Sequence, residues 1–253
     1  MIRKIVNKIR LSIRKARNCR RCLKSVPQIE RLKDSHVGER CFIVGNGPSL
    51  LVKDLEKIKD EVCFGTHRIY MLFHQTEWRP TYYCAQDSRL INSSIEEISS
   101  LDAKMRLVAI VQDTAYRRLK NVECIPLFIK NFYPELPKFA EDVSKGIYEG
   151  FTVTYMCLQL AVYMGFKEIY LLGVDHSYSI ERLPDGQIKE NEGVDDHFSK
   201  EDKIENIPQT YKSTLAYEAA RRYADSHGIK IINASRGGKL DVFERVEFDN
   251  VVS

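Results

Sequence analysis

The chain has 253 residues and a formal net charge of +4, with 43% hydrophobic and 29% charged side chains, an ordinary globular profile. A chain of this length buries about 70–75% of its unfolded surface as one large domain or two small ones. Its 13 Gly and 8 Pro are too few for a fibrous or low-complexity protein, no run of about 18 apolar residues is present to cross a membrane, and the basic start lacks the apolar core of a secretory signal.

The charge is concentrated at the start. Residues 1–24 hold ten Lys and Arg and no acid; taking these ten from 39 leaves 29 basic against 35 acidic residues, a net of −6. Within residues 2–16, Ile2, Ile5, Val6, Ile9, Ile13 and Ala16 fall on one helical face and Lys and Arg fill the other. Such a helix gains by laying its stripe on an anionic bilayer, each near-surface cation adding ~1 kcal/mol; the alternative is a helix packed on the domain with its basic face solvated. No aromatic platform interleaves the charges, so no nucleic-acid partner is expected. Val26-Pro27 and the polar stretch to Gly38 read as a linker. The expected organisation is a basic arm and linker over residues 1–38 and a domain over 39–253, working in the cytoplasm at the inner membrane face through residues 2–24.

Seven cysteines are present, an odd number, and Cys41, Cys63, Cys84 and Cys124 lie in apolar strand-like runs, which points to reduced core thiols. Cys19-Arg-Arg-Cys22 is a lone C-x-x-C without the second ligand pair that zinc requires. No metal site is expected from it.

Short apolar runs then follow one another: Cys41–Gly45, Glu61–Gly65, Thr81–Ala85, Leu107–Val111, Val122–Leu127, Glu168–Asp175 and Ile229–Asn233. Helical patterns lie near 88–99, 152–165 and 208–227. Strands alternating with helices predict a doubly wound α/β fold with a mainly parallel sheet, whose ligands sit beyond the carboxyl ends of the strands. After the first run comes Gly45-Asn46-Gly47-Pro48-Ser49-Leu50. It is neither the dinucleotide fingerprint nor a phosphate-binding Walker loop. Its small residues let a phosphate or sugar approach the backbone, or simply make a tight turn. Gly65-Thr66-His67-Arg68 follows the second run and Gln86-Asp87-Ser88 the third. These polar groups either line a cleft or cap helices, Ser88 being a natural N-cap. Thr152 is likewise an N-cap or an anion contact. Asp175, ending the most apolar run with His176-Ser177-Tyr178, is costly to bury without a partner. Ile180–Gln209 is a polar stretch of about thirty residues, long for a compact domain and suited to a lid. Within it Asp195-Asp196-His197-Phe198 places an imidazole beside acids, either a general base near neutral pH or a solvated loop histidine.

Several segments together carry a resemblance. Phe42-Ile43-Val44-Gly45-Asn46-Gly47-Pro48-Ser49-Leu50, Tyr155-Met156-Cys157 and Gly165 through Gly173-Val174-Asp175 resemble bacterial lipooligosaccharide sialyltransferases, which use CMP-sialic acid. Thr152–Tyr155, Asp175–Tyr178, His197-Phe198, Asn233-Ala234 and Gly237–Phe243 are closer to a broader group, the 6-hydroxymethylpterin diphosphokinase-like domains of motility-accessory proteins. The resemblance covers residues 40–248 and implies a Rossmann-like fold with the nucleotide on the Asn-Gly-Pro-Ser loop. It implies that Asn46 and Asp175 help hold the CMP-sugar, that Thr152 touches the nucleotide, that His67 stands where the sialyltransferases have a cleft asparagine, and that His197 is the base. With the strand-end reading, the nucleotide contacts expected are Gly45, Asn46, Gly47, Ser49, His67, Gln86, Asp87, Thr152, Gly173, Asp175 and Tyr178, and the catalytic groups His197 and Asp175. The sequence departs from the sialyltransferase pattern at Glu149-Gly150-Phe151-Thr152-Val153, and the tyrosines that neutralise the leaving phosphate have Tyr178 as their one substitute here.

The function expected is transfer of an acidic sugar from a CMP-activated donor to a cell-surface glycan or lipid-linked acceptor, without a cofactor. One alternative is a diphosphokinase using Mg²⁺ held by Asp87, Asp175, Asp195 and Asp196. Another is a non-enzymatic nucleotide-binding subunit of an envelope assembly. The sequence leaves oligomeric state open, a homo-oligomer included.

Overall fold

A computed structural model describes residues 20–111, 118–199 and 206–252. The basic helix expected over residues 2–16 therefore lies outside the described residues, as does Cys19. The described strands are β1 (Arg40–Val44), β2 (Cys63–Thr66), β3 (Tyr82–Ala85), β4 (Met105–Ile110), β5 (Glu123–Phe128), β6 (Ile147–Tyr148), β7 (Glu168–Leu172), β8 (Ile180–Arg182), β9 (Ile188–Glu190), β10 (Lys230–Asn233) and β11 (Glu244–Arg245). Nine form one sheet in the order β11-β10-β7-β1-β2-β3-β4-β5-β6, and β8 and β9 form a separate hairpin. Every pairing in the large sheet is parallel. All seven expected strands are present. β6 and β11 are two-residue edges, too short to leave a pattern.

The helices are α1 (residues 20–30), α2 (Val52–Lys57), α3 (Ser88–Ser93), α4 (Ile95–Ser100), α5 (Val153–Tyr163), α6 (Thr210–Ser226) and α7 (Phe248–Val251). The pattern over 88–99 is broken at Ser94, which ends α3 and precedes α4.

Both faces of the sheet are covered, which is why its strands read as apolar runs. Alternate side chains of β1 point to opposite faces. Cys41 and Ile43 pack with Met156 and Leu160 of α5, while Phe42 and Val44 pack with Leu55 of α2 and Ile91 of α3. Ten of the eleven residues of α5 are buried, so this helix is apolar all round, as a central helix must be. Cys22, Cys41, Cys63, Cys84, Cys124 and Cys157 are free thiols inside these cores.

The stretch read as a linker is instead part of the domain. α1 continues through Pro27, and Ile29 and Leu32 join the core beneath α5. Ser25 Oγ accepts from the Cys124 N–H at 2.8 Å, and His36 stacks on Phe166 at 4.6 Å between centroids. The missing N–H of Pro27 leaves the carbonyl of Leu23 without its helical partner, and Leu23 is on the exposed side.

α2 is locked through its first turn. Asp54, fully buried, receives Arg236 Nε at 2.7 Å and Nη2 at 2.8 Å, and Arg236 also donates to Asp249 at 2.9 Å and 3.0 Å.

Candidate functional site

β7 ends at Leu172 because Gly173 turns into the left-handed region at φ +65°. Asp175 therefore stands beyond the strand rather than at its last position. The loop after β1 folds back onto this end: Gly45 N–H donates to Leu172 O and Gly47 N–H to Gly173 O, both at 2.8 Å. A Cβ on Gly45 would come within 2.4 Å of Gly173 O, and one on Gly47 within 2.7 Å of the Asp175 carboxyl. The small residues of this loop thus admit the neighbouring β7 turn to their backbone, the tight-turn role that the sequence offered for them. α2 starts at Val52, away from the cleft, so its N–H groups offer no anion site there.

A cleft of about 660 Å³ opens over the carboxyl ends of the strands. Gly45, Asn46, Gly47, His67, Gln86, Asp87, Thr152, Gly173, Asp175, Tyr178 and His197 all line it. Ser49 does not; it lies behind the loop and donates from its backbone N–H to Asp175 Oδ2 at 2.8 Å and from its hydroxyl to Oδ1. Asp175 is 5% exposed, and these two hydrogen bonds from Ser49 are the partners its burial requires.

Asn46 donates through Nδ2 to Thr66 O at 3.1 Å, and its buried Oδ1 has no partner. Gln86 repeats the arrangement: Nε2 donates to Glu149 Oε1 at 3.3 Å and the buried Oε1 is unpaired. Two acceptors short of donors at one cleft suit a ligand rich in hydroxyl or amino groups, because an unmet buried acceptor costs ~1–3 kcal/mol. Asp87, rather than Ser88, is the N-cap of α3, accepting from Arg89 N at 2.8 Å and Leu90 N at 3.1 Å. Thr152 caps α5, its Oγ1 accepting from Thr154 N at 3.3 Å.

Strained backbone gathers here. His67, Phe151 and His176 adopt φ of +45°, +57° and +53°, and all three line the cleft; such conformations in non-glycine residues collect at functional sites. Burial pulls the His176 imidazole down to about 4, so it is neutral at pH 7, and its Nε2 shares a hydrogen bond with Thr214 Oγ1 at 2.8 Å. Burial raises the Glu149 carboxyl, with the Phe151 N–H opposing and the charge of Asp87 adding to the rise. Burial likewise pushes the Tyr178 phenol up.

The polar stretch over Ile180–Gln209 is only partly loop, since it contains the β8–β9 hairpin. From its second half, Asp196, His197 and residues 206–209 line the cleft. Phe198 N–H donates to Asn46 O at 2.9 Å, Asp196 accepts from Ser179 N and Oγ at 2.7 Å each, and Asn206 Nδ2 donates to Asp87 Oδ2. His197 is held between two of these ties and faces the cleft.

The four carboxylates expected to hold Mg²⁺ differ in their surroundings. Asp87, Asp175 and Asp196 are each engaged by protein donors, and Asp195 is exposed and outside the cleft. No group of three His, Cys, Asp or Glu side chains is arranged for a metal among the described residues.

Residues 14–181 match the family described as 6-hydroxymethylpterin diphosphokinase MptE-like. The chain belongs to this MptE-like family. Among solved structures, that of the MAf glycosyltransferase from Magnetospirillum magneticum AMB-1 has a TM-score of 0.50 and 16% identity, over 85% of this chain and 34% of that one. The MptE-like chain thus spans about a third of that protein's length, and the likeness is one of fold. No curated protein matches it. Both findings agree with the broader of the two resemblances and with a Rossmann-like sheet.

Sequence reasoning did not single out Glu149, His176, Arg182, Asn206 or Tyr217 of this MptE-like cleft. Only His176 carried a signal, as the immediate neighbour of Asp175.

Proposed function

We propose that the cleft transfers a glycosyl group from a nucleotide-activated donor, CMP-linked and acidic, to a hydroxyl of a cell-surface glycan or lipid-linked acceptor. The observation that carries this is the convergence of Asn46, Thr152 and His197 on one cleft beyond the strand ends. His197 takes the proton of the acceptor hydroxyl as that oxygen attacks the anomeric carbon. The bond from that carbon to the donor phosphate breaks, and CMP leaves with the electron pair. Asn46 and the first turn of α5 at Thr152 hold the nucleotide. Asp175 acts through Ser49, fixing the loop that carries Asn46. The likeness in fold to the MAf glycosyltransferase supports a glycosyltransferase; the CMP donor is drawn from the sequence resemblance.

The basic residues 2–24 place the enzyme on the anionic inner face of a membrane, near a lipid-linked acceptor. No helix among the described residues is long and apolar enough to cross a membrane. Incubation with CMP-sugars and a chelator tests the reaction: CMP release that grows with acceptor supports it. Release of AMP from ATP, abolished by EDTA, would establish the diphosphokinase instead. Neither activity, with the biological role surviving His197→Ala, would leave a binding subunit.

A further inference from the structure

We propose that Arg182, on the hairpin above the cleft, receives the phosphate of the bound nucleotide. The inference rests on the glycosyl-transfer reading and locates the anion within it. Arg182 lines the cleft, and its guanidinium makes one hydrogen bond among the described residues, from Nη1 to Gly186 O at 3.1 Å. Four of its five N–H groups are left for a ligand.

Successive residues of β8 point to opposite sides. Of the hairpin's three acids, Glu181 is held by Thr210 Oγ1, by Asn191 Nδ2 at 3.2 Å and by Lys189 Nζ at 3.6 Å, and Asp185 accepts from the Gln187 N–H at 2.9 Å. Arg182 turns the other way, and its own N–H is tied to Pro208 O at 2.8 Å, which fixes the strand from which it projects. The cleft is also lined by the acids Asp87, Glu149, Asp175 and Asp196 and by a second arginine, Arg89. The acids repel a phosphate, and a guanidinium with unused donors, such as that of Arg182, attracts it. A planar guanidinium binds phosphoryl oxygens in pairs, and at this place it meets the negative charge that grows on the departing phosphate.

The test is calorimetric titration of the full chain and of R182Q and R182K with CMP, cytidine and a short-chain prenyl phosphate, with melting curves to show that each variant is folded. Wild type should bind CMP more tightly than cytidine. R182Q should weaken CMP by about 10–100-fold, the range for losing hydrogen bonds to a charged group, and leave cytidine unchanged, with R182K between. Equal losses for CMP and cytidine, or none for CMP, overturn the assignment. So does a loss confined to the prenyl phosphate, which would place the anion on the acceptor. Wild-type CMP binding that survives R182Q sinks this inference alone; wild type that binds neither CMP nor cytidine sinks the glycosyl-transfer reading as well.

Discussion

Ser49 holds both carboxylate oxygens of Asp175 across 126 positions of sequence, with its backbone N–H 2.8 Å from Oδ2 and its hydroxyl on Oδ1. The pair joins the loop after β1 to the turn after β7, the two adjacent strands at the centre of the sheet. Asp175→Ala leaves the Ser49 donors unmet and should cost about 1–3 kcal/mol, with nucleotide binding lost alongside. Asp175→Asn keeps one acceptor and should fall between. Urea melts and CMP titrations check this; an Ala variant as stable as wild type would contradict it.

Gly47→Ala places a Cβ 2.8 Å from Gly173 O and 2.7 Å from the Asp175 carboxyl. Neither neighbour can retreat without breaking the contacts just described. Destabilisation by about 1–3 kcal/mol is expected from such overpacking, read as a lower urea midpoint with an unchanged slope. Gly237→Ala, where φ is not left-handed and the new Cβ would meet only Ser49 Cβ at 3.5 Å, controls for the loss of a glycine without a clash.

Arg236→Ala strands the fully buried Asp54 without its counterion. The loss should be about 3–5 kcal/mol, the usual result of breaking a buried pair from one side. Replacing Asp54 and Arg236 together by Leu and Met should recover much of it. A single variant that melts like wild type would show the pair to be dispensable.

His176 sets a pH dependence. Its imidazole titrates at about 4 in the fold and near 6.5 when unfolded. Between those values the unfolded chain binds the extra proton, so this contribution is complete above 6.5 and is lost as pH falls toward 4. The melting temperature should drop from pH 7 to pH 4.5, and His176→Gln should flatten the drop. Parallel profiles for the two proteins would remove His176 from the account.

His197→Ala should lower transfer by about 10²–10⁴-fold, the usual contribution of a general base, while CMP affinity and melting temperature stay near wild type. A variant that retains its turnover would move the base to another residue.

The central strands were readable because helices cover both faces of the sheet, so β1 and β7 appear in the sequence as unbroken apolar runs. α1 was readable in principle: Cys22, Ser25, Ile29 and Leu32, all buried, recur at spacings of three, four and three. Pro27 and the surrounding charges hid that face behind the look of a linker. The β8–β9 hairpin could not be found this way, because its residues are half-exposed or exposed and carry no periodic apolar signal. The same divide separates the site residues. Asn46, Thr152 and Asp175 follow or precede recognisable elements, so the strand-end rule reaches them. Glu149 and Arg182 enter the cleft through contacts between distant segments, Gln86 with Glu149 and Pro208 with Arg182, which no local pattern records.

The bond from the Phe198 N–H to the Asn46 carbonyl fastens two segments that are 152 positions apart in the chain. His197, next to Phe198, is therefore set in place by the same loop that presents the Asn46 amide, and a change to either segment is felt by both.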